Sequence, residues 1–136
     1  MIENEHIFHL AIPTDDLDRA EEFYVEGMGA EKARRYEDRL TLNFYGDQIV
    51  CHKAPAEEIV DEEDVRMYPR HFGVTMTDEE DFEALLESAR ERDLSFFQEP
   101  MIRFEGESDE HRTFFLQDPS NNLLEFKWYN NQEQMY

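Results

Sequence analysis

The sequence predicts an α+β domain built from two βαβββ modules, and three observations carry that prediction. Apolar residues recur at every second position in stretches such as Leu40-Thr41-Leu42-Asn43-Phe44-Tyr45, the period of a half-buried strand. Two other stretches place apolar residues at helical spacing, Leu17, Ala20, Phe23 and Tyr24 in one and Phe82, Leu85, Leu86 and Ala89 in the other. The two halves also repeat: a shift of 62 carries His9 to His71, Leu10 to Phe72, Ile12 to Val74, Ala20 to Phe82, Phe23 to Leu85 and Tyr24 to Leu86.

Composition bounds the function. At 136 residues the chain is one ordinary domain, and with 40% hydrophobic residues, including 11 Phe, it can bury a real core. Its 34 acidic residues against 13 basic give a net charge of -21, which repels nucleic acid and anionic membranes. The single Cys excludes an internal disulfide, no apolar run reaches membrane-spanning length, and MIENEHIFHL lacks the regions of a signal peptide. A cytoplasmic protein is expected.

Taken in order, residues 6–13 read as a strand with Phe8, Leu10 and Ile12 on one face and His9 and Ala11 on the other. Thr14 or Asp15 caps the helix that follows, and Gly27 and Gly29 end it. Strands follow near 32–37, 40–45 and 48–53, the last two joined at Gly46-Asp47. Module one thus spans about 5–54. Residues 55–69 hold Pro55, Pro69 and the acidic run EEIVDEED and read as an exposed linker. Module two, about 70–129, opens with a strand over 70–77 and a capping-box match at Thr77 to Glu80. A strand near 95–104 and a hairpin over 113–129 complete it, the turn falling at Asp118-Pro119-Ser120-Asn121-Asn122.

Across these strands the apolar residues face the helices, and His9, His71 and Glu125 take the opposite side. A lone strand histidine is ordinarily a solvated or hydrogen-bonded residue, and a lone strand carboxylate a solvated one. Two histidines at repeat-equivalent positions, with a carboxylate on a further strand, are better explained together. Two neutral imidazoles and one carboxylate suit Fe(II), Mn(II), Ni(II), Co(II) or Zn(II) and leave coordination positions open.

The motifs FHLAIPTDDLDRAEEFY, RHFGV and FFLQDPSNNLLEFK resemble the vicinal oxygen chelate superfamily, which includes glyoxalase I, fosfomycin-resistance proteins, bleomycin-binding proteins and extradiol dioxygenases. NFYGDQIVCH and EPMIRFEGESDEHRTFFLQDPSNNLLEFK are most similar to small predicted extradiol-type dioxygenases. The resemblance implies a curved mixed sheet cupped around a metal, with the helices on its convex face. It implies His9, His71 and Glu125 as the ligands of a divalent metal, Fe(II) favoured and Mn(II), Ni(II) or Zn(II) possible. It also implies a homodimer acting on a small molecule, with His9 of one chain meeting His71 and Glu125 of the other, the alternative being a site closed within one chain. Allowing a gap between the last strands puts Cys51 at a fourth pseudo-symmetric position, near the metal but more plausibly a packed residue than a ligand.

The proton-transfer residues of such an enzyme are less legible. Tyr45, His52, Tyr129 and His111 are the candidates; strand parity turns His52 away from the metal face, as a core or interface histidine, and His6 and His111 are expected in solvent. Arg103 is a candidate for an anionic substrate group, with a surface salt bridge as its plainer reading, and Asn43 and Phe115 are further substrate-contact candidates. The function implied is a metal-dependent enzyme resembling extradiol ring-cleavage dioxygenases. The alternatives are a Lewis-acid lyase, isomerase or transferase of the glyoxalase or fosfomycin-resistance type, and a non-catalytic drug-sequestering protein of the bleomycin-resistance type.

Overall fold

The computed structural model describes residues 6–136, so the expected start of module one at Glu5 lies outside the described residues. The chain divides into two compact units. One runs to Glu62 and takes in Pro119–Asn121; the other comprises Glu63–Asp118 and Asn122–Tyr136. Each unit holds a four-stranded mixed sheet of the same topology, which gives the α+β class and the repeat predicted from sequence.

In the first unit, β1 (His9–Thr14) leads into α1 (Leu17–Glu21), which widens into a π-helical stretch over Glu22–Gly27. There follow β2 (Glu31–Arg35), β3 (Arg39–Phe44) and β4 (Asp47–Lys53). The strand order is β1-β4-β3-β2, with β1 parallel to β4 and the other neighbours antiparallel. Leu17, Ala20, Phe23 and Tyr24 are all buried, as their spacing predicts. Asp16 rather than Thr14 or Asp15 caps α1, accepting from the amides of Asp18 and Arg19. Thr14 and Asp15 instead hold Ser120: its hydroxyl lies 3.0 Å from Thr14 Oγ1 and donates to Asp15 Oδ1 at 2.7 Å. On the surface, Arg35 reaches Asp18 and Glu21, and the hydrogen bond to Asp18 holds its guanidinium pKa above the ordinary value.

In the second unit, β5 (Phe72–Met76), α2 (Glu79–Glu91), β6 (Phe96–Arg103), β7 (His111–Gln117) and β8 (Leu123–Tyr129) form a sheet of order β5-β8-β7-β6. Asp78, one residue after the expected Thr77, caps α2. The α2 stripe of Phe82, Leu85, Leu86 and Ala89 is buried, and Phe82 meets Phe114 edge-on at 5.1 Å, with Phe126 beyond it. The strand residues alternating with these therefore face away from α2, and Glu125 is among them.

Candidate metal centre

Glu125 stands mid-strand in β8, opposite Gly73 of β5 and Phe115 of β7. It is only 8% exposed, which excludes the solvated-face reading: a carboxylate this far from water needs partners. One partner is the Thr113 hydroxyl, which donates to Oε2 at 2.6 Å. The other is His71, whose Nε2 lies 3.1 Å from Oε1. Gly73 makes this packing possible, since a Cβ there would fall 1.7 Å from the Glu125 carbonyl oxygen.

The His71 ring is oriented from its other nitrogen. Nδ1 lies 2.6 Å from the carbonyl oxygen of Met67, and because a carbonyl can only accept, Nδ1 carries the hydrogen. A neutral ring then directs the Nε2 lone pair at a carboxylate oxygen. Two acceptors at 3.1 Å repel unless a cation lies between them, either a proton on the ring or a metal ion. Two donor atoms each about 2.1 Å from one ion and at right angles to one another stand about 3 Å apart. The donor set and its spacing therefore fit a divalent metal. The cleft in front of them is lined by His71, Gly73, Val74, Thr75, Glu125 and Lys127.

His9 belongs to the other unit and is exposed at the start of β1. Its Nδ1 lies 2.7 Å from the amide oxygen of Gln48, so a carbonyl-type oxygen fixes this ring as one fixes His71, and the lone pair falls on Nε2.

Strand register corrects the sequence reading of the fourth position. Gly73 pairs with Glu125, and its repeat equivalent Ala11 pairs with Val50, so the counterpart of Glu125 is Val50 and not Cys51. Cys51 pairs with Ile12 and Leu40 on the helix-covered side and is fully buried, so it is a core residue on the face opposite to Val50. His52 pairs with Pro13 on the His9 side and is exposed, so of the core and interface placements expected for it the core one does not hold, and it lies on the face opposite to the one the offset assigned.

The remaining candidates separate. Asn43 accepts from the Gly46 amide at 2.8 Å and so organises the β3–β4 turn, in which Tyr45 adopts φ 55 and remains exposed. Phe115 is buried directly opposite Glu125 and meets the His71 ring edge-on at 5.3 Å, so it braces that imidazole. Tyr129 and His111 are opposed on β8 and β7, on the Glu125 side, with their rings stacked at 4.5 Å. His111 is 7% exposed, which corrects its expected place in solvent; the strand register encloses it. Arg103 donates to the Tyr68 hydroxyl at 2.9 Å and forms no ion pair with a described carboxylate, so the surface salt bridge does not form. Sequence reasoning missed Thr113, Gln48, Gly73 and Tyr68. The hairpin register held a signal for Thr113, and the repeat held one for Gly73; Tyr68, in a loop without periodicity, offered none.

Paired βαβββ units with histidine and carboxylate on the faces turned from the helices define the class of vicinal oxygen chelate proteins. The profile of the Glyoxalase/Bleomycin resistance protein/Dioxygenase superfamily matches residues 6–126. A glyoxalase/bleomycin resistance protein/dioxygenase from Alicyclobacillus acidocaldarius is 51% identical over 100% of both chains, with a TM-score of 0.92. The fosfomycin resistance protein FosX from Listeria monocytogenes shares the fold at 18% identity and a TM-score of 0.73, over 99% of this chain and 100% of that one. Lactoylglutathione lyase from Agrobacterium tumefaciens does so at 14% identity and 0.65, over 92% and 94%. No curated protein matches the chain in sequence. The chain belongs to the glyoxalase/bleomycin resistance/dioxygenase superfamily, whose members generally use divalent metals and bind small-molecule substrates. Among the described residues no helix is long and apolar enough to cross a membrane.

Proposed function

We propose that the protein is a metal-dependent enzyme of the extradiol dioxygenase type, with His9, His71 and Glu125 holding one divalent metal, Fe(II) in the ring-cleaving form. The reading rests on one observation above the rest: the His71 and Glu125 acceptors face each other at 3.1 Å with their other polar atoms already engaged. An aliphatic Val50 at the fourth pseudo-symmetric position supports it, because three protein ligands leave room for substrate. When bound, the metal supplies a chelation point for two adjacent substrate oxygens and, as Fe(II), the redox partner for O2.

The chain's own residues do the rest. Met67 fixes the tautomer of His71, Thr113 turns Oε1 of Glu125 toward the cleft, and Phe115 keeps water from the back of the imidazole. The stacked Tyr129 and His111 are the proton-transfer candidates on the same side of the sheet. The assembly that completes the site is a homodimer in which His9 comes from the partner chain.

Metal analysis of protein purified without added metal, followed by a catechol panel with and without air, tests the proposal. The expected result is one divalent ion per chain, lost in Glu125→Ala and His71→Ala, and oxygen uptake that a chelator abolishes. Full activity in Glu125→Ala would overturn the assignment. Metal binding without oxygen uptake would retain the site and replace ring cleavage by Lewis-acid chemistry.

A further inference from the structure

We infer that Arg103, held by Tyr68, is an oxyanion clamp that selects substrates bearing one carboxylate or phosphonate group; this rests on the proposed metal site lying beside it. Arg103 ends β6 opposite His111, which is itself opposite Tyr129 on the Glu125 side of the sheet. Its Nη1 donates to Tyr68 Oη, and the Tyr68 ring meets the His71 ring edge-on at 5.7 Å. A short chain of contacts thus runs from the guanidinium to the ligand pair. Tyr68 accepts one of the five guanidinium hydrogens, and the remaining fork is free to take two oxygens of one anion.

Charge makes the arrangement informative. The chain has 34 acidic residues, yet no described carboxylate pairs with Arg103. Lys127, which lines the same cleft as His71 and Glu125, likewise forms no ion pair with a described residue and lies 5.9 Å from the Tyr129 ring centre. Arg103, linked to His71 through Tyr68, and Lys127, in the cleft with Glu125, are two cations without a described ion-pair partner in so acidic a protein, and are placed for an anion that arrives with the substrate. The net charge of -21 works against any anion at long range, so the selectivity must be local.

Binding calorimetry in two arms tests this. Metal-free protein is titrated with benzoate, phenylphosphonate and neutral benzyl alcohol, and metal-loaded protein with 3,4-dihydroxybenzoate and catechol. In both arms an anion is expected to bind at least about tenfold more tightly than its neutral counterpart, a difference of about 1.4 kcal/mol. The stronger of benzoate and phenylphosphonate identifies which anion the substrate carries. Arg103→Met should bring the ratio to one or below, Arg103→Lys should keep part of it, and Tyr68→Phe should lower it less than Arg103→Met. A ratio of one in the wild type, or one unchanged in an Arg103→Met protein of native circular dichroism, overturns the clamp. Because the first arm needs no metal, an anion preference in a protein that binds no metal would sink the metal assignment and leave the clamp.

Discussion

An alanine at position 73 would carry its Cβ to 1.7 Å from the Glu125 carbonyl oxygen, a backbone atom that cannot swing away. The strands would have to part at the residue that bears the proposed ligand. Gly73→Ala is therefore expected to destabilise the protein by about 1–3 kcal/mol, the usual cost of overpacking, and to weaken metal binding with it. Thermal unfolding and metal titration of the same sample check both effects. Thr113→Val is the complementary case, leaving Oε2 of a buried carboxylate without its donor at a cost of about 1–3 kcal/mol, whereas Thr113→Ser should restore the bond. Denaturant midpoints of the two variants distinguish a lost hydrogen bond from lost packing. His71 and Glu125 stood out in the sequence because each falls on the face opposite the apolar residues of its stretch, His71 just before β5 and Glu125 within β8. Thr113 and Gly73 did not, since their meaning lies in the neighbouring strand.

Strand register decides what alternation alone leaves open. A slip of one residue moves every side chain to the other face, and a gap admitted when aligning the last strands of the two modules was such a slip. It sent Cys51 to the face of the proposed metal and His52 to the opposite face, the reverse of their positions in β4. The helices were easier to read. Their stripes span several turns, so a one-residue error at the caps, as at Asp16 and Asp78, leaves the buried face intact. The β7–β8 turn carries an element-scale prediction. Ser120 accepts from the Asp15 amide at 3.1 Å and donates to the Asp15 carboxylate, tying that turn to the end of β1. Ser120→Ala strips partners from buried or half-buried groups and should cost about 1–3 kcal/mol, read as a lower urea midpoint with an unchanged slope.

For the whole molecule the open variable is assembly, since His9 lies in one unit and His71 and Glu125 in the other. If two chains exchange modules, each metal site takes His9 from one chain and His71 with Glu125 from its partner. Two inactive variants, His9→Ala and Glu125→Ala, then complement each other. A mixed dimer carries one site with all three ligands and one with His9 and Glu125 both removed. With chains assorting at random, mixed dimers make up half the population, so refolding an equimolar mixture should restore about a quarter of the wild-type metal sites and activity. If each chain closes its own site, no combination of these two chains contains an intact triad and nothing is restored. The high negative charge sets the conditions: self-repulsion between chains of net charge -21 weakens as salt screens it, so the exchange should be run at about 0.15 M salt or above. Recovery near a quarter, together with light scattering at twice the chain mass, would establish the exchanged dimer. A metal-bound, active monomer would exclude it and place the triad within one chain.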